Sequence, residues 1–191
     1  HVHALNSPDS AVSNVNRVLQ FAGEGVDNVI MTDHDAHTDL DPVIASLGMT
    51  PFVAATVGEE ITSFDYGHFN AYPLGIDPSR VSKGSTDHGG AAPPGLDFTS
   101  SGNFNLSPAQ IHAAVLADPF NTSPNVAMQI NHISSHFEPL RIDSALTPPQ
   151  SVMTPAQQMG FRLDPTIPNV YHHFPALELW NGHNRSHLFS E

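Results

Sequence analysis

The run Val26–Thr32 is short and apolar, and it ends directly on Asp33-His34-Asp35. A buried strand that finishes in three ionisable side chains is costly to desolvate unless those groups pair with one another or hold an ion. The same arrangement recurs along the chain. His1 and His3 stand in a strand-like opening segment, Glu59 and Glu60 follow the strand-like Pro51–Val57, His132 follows Val126–Asn131, and Glu178 lies within Ala176–Trp180. Such a chain needs a fold that brings strand ends together. Parallel α/β architectures do so, because the carboxyl ends of their strands share one face.

The intervening segments fit that class. Ser10–Ala22 carries Ala11, Val12, Val15, Val18, Leu19 and Ala22 at helical spacing, with Gly23 and Gly25 as a stop. Asp41-Pro42 supplies an N-cap and a first-turn proline for a short helix that Gly48 closes. Glu60–Ser63 and Phe69–Leu74 read as a hairpin across Asp65-Tyr66-Gly67, and Ser107-Pro108 starts a helix through Ala117. Two long stretches, Asp77–Asn105 and Ile133–Asn169, are rich in turn formers and read as loops, the first a possible lid. There is no internal repeat and no domain boundary, so the expectation is a single domain over residues 1–191. The opening at His1 rather than at a methionine reads as a piece of something longer.

Composition then selects a chemistry. The chain has 13 histidines and no cysteine, which leaves imidazole and carboxylate as metal ligands, a set suited to Zn, Mn or Fe. With 19 acidic against 6 basic residues the formal charge is −13, which repels polyphosphate backbones and argues against nucleic-acid binding. No apolar run reaches the roughly 20 residues of a bilayer span. Neither an oligomeric state nor a compartment follows from these residues.

Each candidate ligand has an ordinary alternative. His1-Val2-His3 places two imidazoles on one side of an extended segment, where both can reach one ion, or it is a frayed end. His34 belongs to the Thr32–Asp35 cluster, which otherwise is a polar turn with an Asp cap, while His37 and Asp39 read as solvated loop. Of the adjacent Glu59 and Glu60, strand alternation admits one to a site, where its two oxygens can bridge two cations. His68 and His132 are single histidines at element ends, and Asp9 is either a ligand or the cap of the following helix. His183 and His187 are four apart but sit near Gly182, which favours a loop. His88, His112, His136 and His172-His173 read as surface or supporting groups, and Arg141 and Arg185 as possible contacts for a substrate anion.

Taken in order, H-V-H-A, S-P-D-S, G-V-D-N-V-I-M-T-D-H-D, G-E-E-I-T, G-H-F-N-A-Y-P-L, N-H and A-L-E-L-W-N-G resemble the PHP family, the polymerase and histidinol phosphatase metal-dependent phosphoesterases. The branch with carbaryl-hydrolase-type esterases is the most similar. The resemblance implies a distorted seven-stranded, TIM-like β/α barrel with two or three divalent ions at its carboxyl face. It implies His1 and His3 on one ion, Glu60 bridging it to a second, and His68 and His132 completing the second. Asp9 and His34 would hold a third, and Glu178 and Asn181 would line the face. It is the Ile-Thr after Glu60 that selects this glutamate over Glu59. The strand before H-x-H and a closing D-x-H motif are absent, so the chain reads as truncated at both ends, with an incomplete barrel within the expectation.

The chemistry expected from this set is hydrolysis of a phosphoester, or of a small ester or carbamate. A water between two cations falls in pKa from about 15.7 toward neutrality and becomes a hydroxide nucleophile. His34 or His132 would protonate the leaving group. A small-molecule substrate fits the single lysine and five arginines better than a polyanion does. Two alternatives stay open: a non-catalytic metal-binding module, and a 3′→5′ exonuclease, the latter disfavoured by the net charge.

Overall fold

The computed structural model describes residues 1–63, 67–90, 104–106, 108–132, 142–143, 150–151 and 176–178. The chain divides into two compact units. One comprises His1–Ile61, Asn70–Thr86 and Leu116–Ala127, the other Thr62–Phe69, Asp87–Val115 and Met128–Glu191.

In the first unit helix α1, Asn14–Glu24, starts later than the apolar spacing suggests. The Ser13 hydroxyl accepts from the Asn16 amide and caps it, and Gly25 ends it in the left-handed region at φ 71°. Strand β1, Asn28–Met31, leads to helix α2, Asp41–Ser46, and on to β2, Ala54–Val57, which pairs parallel to β1 from Asn28↔Ala54 to Met31↔Val57. This βαβ unit matches the expected alternation. Its buried core is Ala4, Val18, Val29, Met31, Leu40, Ile44 and Val53.

Beyond β2 the alternation stops. Gly58 alone separates β2 from β3, Glu59–Ser63, and β4, Gly67–Tyr72, follows with no helix between them among the described residues. A Cβ at Gly58 would stand 2.8 Å from the Met31 carbonyl oxygen and 2.9 Å from that of Ala71, so only glycine fits where the chain leaves one sheet for the next. β3 and β4 are neighbours in a four-stranded sheet of order β10-β7-β4-β3, with β7 at Ala127–Ile130 and β10 at Ala176–Leu177. The two strands of the expected hairpin are thus side by side, and residues 64–66 between them lie outside the described residues. β7 and β10 pair parallel.

In the second unit β5, Gly89–Gly90, pairs antiparallel with β6, Phe104–Asn105, and β8, Ile142–Asp143, with β9, Gln150–Ser151. Helix α3, Pro108–Ala117, buries Ile111 and Val115, and β7 buries Met128 and Ile130. Among the described residues no helix is long and apolar enough to cross a membrane.

The expected seven-stranded β/α barrel is overturned. The described residues hold three α-helices and strands in a two-stranded parallel sheet, a four-stranded sheet and two short antiparallel pairs, with no closed barrel. The reason lies in the connections. Each parallel neighbour in such a barrel needs a crossover helix, and from β2 through β4 the described residues provide none.

Candidate metal centre

The site in the first unit is built on the end of β1. Residues 1–4 run extended beside it: the Thr32 amide donates to the Val2 carbonyl at 2.9 Å, and the Val2 amide donates to the Thr32 hydroxyl at 2.8 Å. The Ala4 amide donates to Asp33 Oδ1 at 2.5 Å, and the Thr38 hydroxyl donates to the other Asp33 oxygen. Arg17 from α1 donates to the His3 carbonyl at 2.6 Å. Alternation along this pinned segment turns the side chains of His1 and His3 the same way.

On the other side β3 brings Glu60. His34 and Glu60 form a parallel bridge, with the Glu60 amide donating to the Asp33 carbonyl at 3.1 Å and the Asp35 amide to the Glu60 carbonyl at 3.0 Å. The Glu60 side chain is wholly buried, and imidazole nitrogens from three positions surround one of its oxygens. His1 Nε2 lies 2.8 Å from Oε2, His3 Nε2 3.1 Å and His34 Nδ1 3.5 Å. The rings of His3 and His34 stack, with centroids 4.6 Å apart and planes 19° from parallel, and His1 meets His3 edge-on at 4.8 Å.

Asp9 approaches from the opposite side of His3. Its carboxylate is 3.5 Å from His34 Nε2 and 4.0 Å from His3 Nδ1, and it accepts from the Ser7 hydroxyl at 2.7 Å. Burial alone pushes this carboxyl up, but the Ser7 hydrogen bond and the nearby imidazoles of His3 and His34 outweigh it and hold Asp9 below its usual value. Asp9 is not the cap of α1, a role that Ser13 takes. Two donor triads result: His1, His3 and Glu60, and His3, Asp9 and His34, each with one ligand atom per residue within 4.8 Å of the others.

Glu59 faces the other way, as strand alternation requires, and it has its own partners. Its Oε2 lies 3.3 Å from His37 Nε2, the Thr86 amide donates to its carboxylate at 3.0 Å, and His37 Nδ1 donates to the Gly75 carbonyl at 2.7 Å. His37 is buried rather than on a solvated loop. The sequence signals only that, if Glu60 takes the site, a buried Glu59 needs a partner on the opposite face, and not which residue that partner is.

The second unit holds His68, on β4, and His132, just past β7, with ring centroids 5.5 Å apart. Asn131 donates its amide to the His68 carbonyl at 3.0 Å. Glu178 Oε2 accepts the His132 amide at 3.0 Å and lies 3.2 Å from His132 Nδ1. His132 adopts a positive φ of 47°, uncommon for a residue with a side chain, in making this contact. Glu178, expected only to line a face, is the direct partner of His132. His136, Arg141, His172, His173, Asn181, His183, Arg185 and His187 lie outside the described residues.

Comparison with protein-family models, with curated proteins and with solved structures returns no match.

Proposed function

We propose that this chain is a metal-dependent hydrolase of a phosphoester, or of a small ester or carbamate, working at the cluster of His1, His3, Asp9, His34 and Glu60. The observation that carries the reading is the surroundings of Glu60 Oε2. A buried carboxylate needs one compensating charge or a set of hydrogen bonds. Here imidazole nitrogens from three positions converge on the same oxygen. Neutral imidazole offers a lone pair as readily as a proton, so nitrogen and carboxylate donors crowded in this way suit a divalent ion of the Zn, Mn or Fe class. The ordered motifs that resemble PHP phosphoesterases support the same chemistry, although the barrel of that resemblance is not retained.

In this reading His1, His3 and Glu60 hold one ion, and Asp9 and His34 contribute to a neighbouring one. His68 and His132 are proposed as donors to a further ion, with Glu178 orienting His132. A bound divalent ion supplies Lewis acidity toward the scissile phosphoryl or carbonyl oxygen and acidifies water near neutral pH. The chain's own residues do the remainder. Glu60 and Asp9 keep carboxylate charge at the site, and the stacked His3 and His34 rings close one side of it. His34, when it is not ligating the second ion, is the group to deliver a proton to the leaving group.

The test is elemental analysis of protein purified without chelator, followed by turnover of a phosphomonoester, a carboxylate ester and a carbamate. Bound Zn, Mn or Fe with turnover of at least one substrate supports the hydrolase. Tight metal with no turnover moves the chain to a metal-binding module, and absence of both refutes the reading. Glu60→Ala is expected to lose metal and turnover together, and full metal content in that variant would exclude Glu60 as a ligand.

A further inference from the structure

We infer that the Ser7 hydroxyl is a positioning group that decides which nitrogen of His3 is offered to a cation. Ser7 is 3% exposed and its oxygen has three neighbours: Asp9 Oδ1 at 2.7 Å, His3 Nδ1 at 3.1 Å and the backbone nitrogen of His34 at 3.2 Å. A hydroxyl has one proton to give and two lone pairs to receive with. The His34 amide can only donate. The Asp9 carboxylate can only accept, so the single hydroxyl proton goes there, along the shortest of the three contacts. What is left for His3 is a lone pair, and its Nδ1 therefore carries the hydrogen.

This fixes the rest of the ring. In a neutral imidazole with Nδ1 protonated, Nε2 is bare, and the bare nitrogen of His3 points at Glu60 Oε2 from 3.1 Å. Two lone-pair carriers at that distance repel, and a cation between or beside them relieves the repulsion. The assignment also separates the two donor triads that share His3. With Nδ1 committed to Ser7, His3 serves the ion of His1 and Glu60, and the Asp9–His34 pair does not use it. Ser7 joins the two sets through hydrogen bonds, tying the 1–10 segment to the end of β1.

The metal-binding half of this inference rests on the proposed metal centre, whereas the hydrogen on Nδ1 follows from the Ser7 contacts by themselves. Both are read in one experiment on the full chain. Two-bond proton–nitrogen spectra of 15N-labelled, metal-free protein at alkaline pH report the His3 tautomer, and Zn2+ titration reports affinity. The expected result is Nδ1–H in the parent protein and a shift to Nε2–H in Ser7→Ala, where the ring is free to donate to Glu60. Zn2+ affinity of Ser7→Ala is expected to fall roughly 10- to 100-fold, the usual effect of removing a group that orients a ligand. Ser7→Thr, which keeps the hydroxyl, is expected to restore both. Nε2–H in the parent protein overturns the inference, as does an unchanged tautomer and affinity in a folded Ser7→Ala. A parent protein that shows Nδ1–H yet takes up no Zn2+ upholds the Ser7 assignment and refutes the metal centre instead.

Discussion

Asp33 and Glu60 are both fully buried carboxylates, and their neighbours give them different tasks. Asp33 accepts from the Ala4 amide and the Thr38 hydroxyl, so it holds the histidine-bearing segment rather than a cation. Asp33→Ala strands two buried donors, each costing about 1–3 kcal/mol. It is expected to lower the urea midpoint and to loosen the segment that carries His1 and His3. Glu59 and Glu60 make a sharper comparison. Glu59→Gln is expected to destabilise by about 1–3 kcal/mol through its contacts with His37 and Thr86 while leaving bound metal intact. Glu60→Gln is expected to release metal. Equal metal content in the two variants would show that the alternation of the strand does not divide their roles. That only one of the pair enters the site was legible from period-two geometry. That His37 receives the other was not, because the approach of residue 37 to residue 59 is made by the fold.

At the scale of elements, the βαβ unit was readable because β1 and β2 are apolar runs and Asp41-Pro42 marks a helix start. The start of α1 was misplaced because Ser10 and Ser13 both accept from an amide two or three residues on, and it is Ser13, holding the Asn16 amide, that caps the helix. Gly58 is the element boundary with the clearest consequence. Gly58→Ala drives a Cβ into the carbonyls of Met31 and Ala71 and is expected to cost about 1–3 kcal/mol, read as a lower melting temperature. A second tie joins Arg80, which precedes the turn at Val81–Lys83, to Asp118 after α3. Burial alone raises the Asp118 carboxyl, but the Arg80 hydrogen bond, the Phe120 amide and the Arg80 charge outweigh it and leave it below the ordinary 3.8. A depressed carboxylate stabilises above its unfolded pKa and loses that contribution as pH falls through its folded value. Asp118→Asn is therefore expected to be less stable than the parent near neutrality, by at most about 1 kcal/mol since the pair is partly exposed. The two proteins should converge in acid below 3.8. A constant difference across that range would rule out the ion pair as its source.

For the molecule as a whole, the cluster predicts a link between metal and stability. An ion that binds the folded chain alone stabilises it by about 2.7 kcal/mol at a hundred times its dissociation constant. Chelator treatment is expected to lower the melting temperature and Zn2+ or Mn2+ to restore it. A melting temperature indifferent to chelator would refute the metal centre. The barrel expectation failed at this scale because the motif resemblance rests on short runs of residues and does not count the crossover helices that separate the strands. Residue types and their spacing were enough to mark His1, His3, His34 and one of Glu59 and Glu60 as candidates, since the cost of burying charge at strand ends and the two-residue repeat of extended chain are local physics; the choice of Glu60 came from the motif resemblance, and Asp9 stayed open between ligand and cap. What only the tertiary structure decided is which side chains meet. Packing alone set Glu60 among three imidazoles, gave Glu59 to His37, and placed Ser7 between His3 and Asp9, because those encounters depend on long-range closure of the chain that no local pattern encodes.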